Sequence, residues 1–67
     1  PDAPWTIAEF KTDRLAAGID LKQHAEAKGY LRQVDVYYRA VDRLLGITPQ
    51  ALLVFLNVGQ LVQVLKV

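Results

Sequence analysis

The run from Ala51 to Val67 constrains this chain more than any other stretch, because apolar residues outnumber polar ones on every side of it. So much contiguous apolar surface must be covered by the chain's own N-terminal two thirds, by a second copy, by another protein or by a bilayer. At 67 residues the chain is read as one small domain, residues 1–67. Folding at that size removes only about 60% of the unfolded surface from water. Cysteine is absent, so disulfides and thiolate metal sites are excluded and tight helix packing or oligomerisation remain as stabilisers. His24 is the sole histidine, which excludes a histidine-rich metal centre within one chain. A hydrophobic fraction of 52% against 22% charged residues places the chain in the globular class with apolar surface to spare.

Eight basic residues against seven acidic ones leave a net charge of +1. Non-specific phosphate affinity is then weak unless geometry concentrates the positive charge. Residues 1–4 lack the basic start and apolar run of a signal peptide, and the expected location is cytoplasmic.

Four helices are expected. Thr6 and Glu9 have capping-box spacing, and Trp5 and Phe10 sit where a hydrophobic staple needs them, so the first helix covers residues 7–17 and stops at Gly18. Asp20 with Gln23 opens a second helix over residues 21–28, closed by Gly29. His24 lies in it with no visible carboxylate or cysteine partner and reads as an ordinary surface or half-buried histidine. Residues 30–45 form the third helix, with Lys28, Arg32, Asp35, Arg39, Asp42 and Arg43 in one arc and apolar residues opposite. Within the apolar half, Tyr30, Val34, Tyr37, Val41 and Leu44 repeat at 4-3-4-3 spacing, the seam of a helix packed lengthwise on a partner. The basic stripe is half compensated by Asp35 and Asp42, as on a solvated face. Thr48 as N-cap and Pro49 at the first helical position start the fourth helix, residues 49–58. After Gly59 the β-branched tail 60–67 is either helix or short strand, and a strand there is expected to need a second chain for pairing.

The stretch Leu45 to Leu52, followed by Leu56 to Gly59, resembles the turn and recognition helix of phage-repressor-type helix-turn-helix domains. In that frame Gln50 is the outward residue able to meet a base edge. A second frame also resembles the motif, with Ala25 and Gly29 at the spacing of its small residue and turn glycine. The helix 30–45 is then the recognition helix, and the resemblance implies Arg32, Gln33, Arg39 and Arg43 as DNA contacts.

Serine and cysteine are absent, no glycine-rich phosphate loop is present, and the carboxylates are spread over positions read as solvent-facing. No catalytic, cofactor-binding or metal-binding residue is assigned, no cofactor or small-molecule substrate is expected, and the chain is read as not an enzyme. Residues 47–67 are long enough to span a bilayer but are interrupted by Gln50, Asn57, Gln60, Gln63 and Lys66, so a membrane ranks behind a polypeptide as the cover. The fold expectation is an all-α bundle of about four short helices with a helix-turn-helix-like hairpin. The functional expectation is a non-catalytic regulatory or adaptor protein acting through helix-mediated contact. It works as a homodimer with a protein partner, through an interface of Leu52, Leu53, Val54, Phe55, Leu56, Leu61 and Val62. The alternatives are a small helix-turn-helix DNA-binding regulator, then a small membrane-associated protein.

Overall fold

Alternation with a period of two governs both ends of the chain, and the helical period holds only in the middle. The structure, a computed structural model, describes residues 5–67. Strand β1 is Thr6–Lys11, helix α1 Leu21–Lys28, helix α2 Tyr30–Leu45, strand β2 Gln50–Val58 and strand β3 Leu61–Lys66. The all-α, helical-bundle expectation is therefore corrected: among the described residues the fold is α/β, two helices and a three-stranded mixed sheet in the order β1-β2-β3. Residues 1–4, read above for targeting signals, lie outside the described residues.

β1 pairs parallel with β2, Thr6 opposite Gln50 through Lys11 opposite Phe55. Parallel neighbours need a crossover rather than a tight turn, and the α1–α2 hairpin is that crossover. β2 and β3 form an antiparallel hairpin with Val54 opposite Val64, broken by an irregularity between Phe55 and Val58. Gly59 and Gln60 both have positive φ, 59° and 69°, the requirement of a type I′ two-residue turn. The tail is thus a strand paired within its own chain, which corrects the expectation that it would need a second one.

Two expected helices are strands for the same reason. From Ala51 to Leu56 the apolar residues run without a gap, which suits a strand as well as a helix, and Ala51, Leu53, Phe55 and Val58 are buried against the helices while Leu52 and Val54 are half-buried on the other face. Residues 7–17 offer Ile7, Glu9 and Lys11 inward in alternation with exposed Thr6, Ala8 and Phe10. Pairing with β2 overrides the local capping-box signal there. The first helix-turn-helix frame loses its recognition helix with 49–58. The membrane segment is likewise a hairpin of strands, and among the described residues no helix is long and apolar enough to cross a membrane.

α1 and α2 have the expected bounds. The Gln23 amide donates to Asp20 Oδ1 at 3.1 Å at the start of α1, and α2 ends at Gly46, whose N–H donates to the Asp42 carbonyl at 2.9 Å. The seam of α2 is rotated from the expected one: Val34 is buried and Leu31, Tyr38 and Val41 half-buried, while Tyr37 and Leu44 are exposed. The helix sits on a sheet rather than along another helix, so a broader inward face replaces the 4-3 seam. Ala25, Val34, Ala51, Leu53, Phe55 and Val58 are the core. Both helices cover one side of the sheet, and the other side carries the row Phe10, Val54, Val64.

Candidate functional site

On the helix-facing side of β1, Glu9 and Lys11 project two residues apart, in register with Leu53 and Phe55 of β2. Among the described residues, Glu9 Oε2 is buried and has no hydrogen-bond partner. A buried ionisable oxygen without a protein donor is costly, and such a group is met by an ordered water, an ion or a proton, or serves in catalysis. Lys11 Nζ lies 3.9 Å from the centroid of the Tyr30 ring and donates to Gln33 Oε1 at 3.0 Å. The start of α2 thus holds the lysine from two sides.

Beyond the strand, Asp13 collects two donors. The Tyr30 hydroxyl donates to its carboxylate, 2.9 Å from Oδ1 and 2.8 Å from Oδ2, and His24 Nε2 lies 2.7 Å from Oδ2. The hydrogen bond from His24 holds the Asp13 carboxyl below the usual aspartate range, helped by the bond from Tyr30 and by the charge of His24, against an opposing push from burial. An ionised carboxylate only accepts, so His24 Nε2 carries the hydrogen between them. The bond to Asp13 in turn raises Tyr30 above the usual tyrosine range, and burial adds to it. His24 packs edge-on against Tyr30 and Phe55, ring centroids 6.0 and 6.1 Å apart, which ties the cluster to the fully buried Phe55.

A carboxylate oxygen beside a fixed ammonium on one sheet face suits phosphate chemistry. The carboxylate is a hard ligand for Mg²⁺ or Mn²⁺, and the ammonium meets negative charge on phosphate oxygens. Among the described residues no three His, Cys, Asp or Glu side chains come together as a metal cluster. Glu9 therefore fits part of a cation site, completed by water, substrate phosphate or ligands outside the described residues. A shallow surface concavity bordered by Val36, Arg39, Ala40, Asp42, Arg43 and Leu44 belongs wholly to α2.

The expected interface residues do not share a surface. Leu53 and Phe55 are fully buried in the core, Leu52 and Val54 are half-buried on the opposite sheet face, and Leu56, Leu61 and Val62 are exposed. Of the expected nucleic-acid contacts, Arg32, Gln33, Arg39 and Arg43 are exposed on α2, and Gln50 is half-buried at the start of β2. The structure joins only Gln33 to the β1 site, through Lys11, while Arg39 pairs with Asp35 at 3.0 Å. His24 is not partnerless, since Asp13 is its carboxylate. Glu9, Lys11, Asp13 and Tyr30 escaped sequence reasoning. The signal for the first two is the alternation Ile7, Glu9, Lys11; Asp13 carries none, because a loop and a helix separate it from its partners.

No family model matches this chain, and no solved structure matches it. Among curated proteins it is similar to an ATP-dependent helicase/nuclease subunit from Heliobacterium modesticaldum (strain ATCC 51547 / Ice1), 33% identical over 57 residues. The match covers 82% of this chain and 4% of that protein's length.

Proposed function

We propose that the chain is the strand-and-hairpin element of a metal-dependent nuclease, acting in the cytoplasm on DNA. The observation that carries the proposal is the unpartnered Glu9 carboxylate oxygen two residues from the held Lys11 ammonium, in a chain similar to a helicase/nuclease subunit. Glu9 would hold a divalent cation through Oε2. When bound, such a cation polarises the phosphoryl oxygen and makes a water a stronger nucleophile near neutral pH. Lys11 faces the negative charge that develops on the phosphate oxygens during cleavage. Arg32, Arg39 and Arg43, exposed on the outer arc of α2 away from the sheet, meet a stretch of the DNA backbone apart from the cleaved phosphate. The test is cleavage of end-labelled DNA with Mg²⁺ or Mn²⁺, with chelator as control. Glu9→Gln is expected to abolish it and Lys11→Ala to lower it by about 10²-fold. Absence of cation-dependent cleavage, together with no Mn²⁺ broadening of the β1 resonances, would remove this reading.

A second reading, the homodimeric adaptor, is favoured by the uncovered sheet face. Phe10 and Val64 are 63% and 55% exposed on either side of half-buried Val54, with Val62 nearby on β3. A second copy laid face to face would cover this row with the same row. Sedimentation of the chain should then show a dimer, reduced to a monomer by Val64→Lys at unchanged circular dichroism. A monomeric parent chain would exclude it.

A further inference from the structure

We infer that Asp13, Tyr30 and His24 are positioning residues that present the Lys11 ammonium to a phosphate oxygen beside Glu9, an inference that rests on the nuclease reading above. A lysine on a short edge strand ordinarily samples many rotamers on its four-carbon stem. Lys11 does not have that freedom, because its Nζ is fixed by the face of Tyr30 at 3.9 Å and by Gln33 Oε1 at 3.0 Å. An ammonium has three N–H donors. Gln33 takes one and the ring face is met by another, so one remains for an incoming oxygen.

The ring that seats Lys11 is itself held from behind. Its hydroxyl donates to Asp13, and Asp13 is held by His24 at 2.7 Å. The side chains of His24 and Asp13 are only 16% and 18% exposed, and Phe55 packs against both His24 and Tyr30, the latter at a centroid separation of 6.3 Å. The positional chain therefore runs from the buried core at Phe55 through His24, Asp13 and Tyr30 to Lys11. An electronic effect acts in the same direction. A carboxylate accepting the phenolic hydrogen pushes electron density into the ring, which makes its face more attractive to a cation. A cluster that merely tied the loop after β1 to the helices would fix Asp13 and His24 equally well, but would leave Lys11 indifferent to the Tyr30 hydroxyl.

That difference is measurable on the full chain with lysine labelled at Cε and Nζ. By NMR, the Lys11 ε-methylene protons, lying over an aromatic face, are expected upfield of those of Lys22, Lys28 and Lys66. Tyr30→Phe keeps the ring and removes the hydroxyl, and Asp13→Asn keeps the shape and removes the charge. Both should shrink the displacement and lower kcat of Mg²⁺-dependent DNA cleavage about tenfold with KM little changed. His24→Asn is the third variant should either of these lose the native near-ultraviolet circular dichroism. An unchanged Lys11 displacement in the folded variants overturns the inference, as does a lost displacement with unchanged kcat. If the parent chain cleaves nothing, the nuclease reading has failed on its own account, and inorganic phosphate becomes the probe. Movement of the Lys11 Nζ resonance on phosphate titration that is weakened by Asp13→Asn then upholds the positioning role, and no movement overturns it.

Discussion

Asp13 is the residue at which the local chemistry converges, and it and its donor Tyr30 set opposite pH limits on stability. Folding lowers the Asp13 pKa below its ordinary 3.8, so the folded chain prefers the charged carboxylate. That contribution is complete above 3.8 and disappears as the pH falls from there through the lowered folded value. Folding raises Tyr30 above its ordinary 10.0, so the folded chain prefers the neutral phenol. This contribution is complete below 10.0 and is lost as the pH climbs above it through the raised value. Urea midpoints measured against pH should therefore form a plateau, with Asp13→Asn flattening the acid limb and Tyr30→Phe the alkaline limb. An acid limb unchanged in Asp13→Asn would show that other carboxylates set it. None of this was legible in the sequence. His24 was visible as a lone imidazole in a short helix, but its carboxylate lies eleven residues away, reached only because β1 and the α1–α2 hairpin pack as they do.

Elements whose signals are local were readable, and elements defined by a partner were not. α1 begins where Asp20 caps it and α2 ends at Gly46, because caps act within one turn of helix. β1 carried a capping box and a staple by spacing, yet parallel pairing with β2 decides its conformation. The run Leu52 to Leu56 is equally apolar as strand or helix, so only the sheet could settle it. The site was hidden for the same reason: Glu9 and Lys11 share a face only once residues 6–11 are a strand. The β2–β3 turn supports a direct test of this sheet. Gln60 holds φ 69° without being glycine, at a cost of roughly 1 kcal/mol, so Gln60→Gly is expected to raise stability by up to that amount. A Cβ on Gly59 would lie 2.8 Å from Ala17 Cβ and 3.1 Å from Ala17 Cα. Gly59→Ala must therefore displace the loop before α1, and should destabilise by about 1–3 kcal/mol. Chemical denaturation of both variants checks the pair. Equal stability of Gly59→Ala and the parent chain would mean that Gly59 and Ala17 do not approach as described.

At the scale of the molecule, one sheet carries its helices on one side, and the charge of α2 lies on the far side of those helices from the sheet. A net charge of +1 says little about nucleic-acid affinity, but distribution matters more than the sum. Arg32, Arg39 and Arg43 are all exposed on α2. The Arg39–Asp35 pair at 3.0 Å is an exposed i,i+4 contact, weak enough to exchange for a phosphate. Three arginines meeting a single strand would release counterions with a slope of log affinity on log salt of about −2, at roughly 0.7 per contact. Arg32→Ala and Arg43→Ala should each reduce that slope by one contact while leaving the fold unchanged, because neither side chain is in the core. Fluorescence anisotropy of a labelled oligonucleotide across a salt series measures both quantities. A slope near zero would detach the α2 arc from nucleic acid and leave the β1 site to be tested on cleavage alone. A slope near −2 that persists in Glu9→Gln would show instead that binding and cleavage are carried by separate parts of the chain, the helix arc holding the backbone and the strand face acting on it.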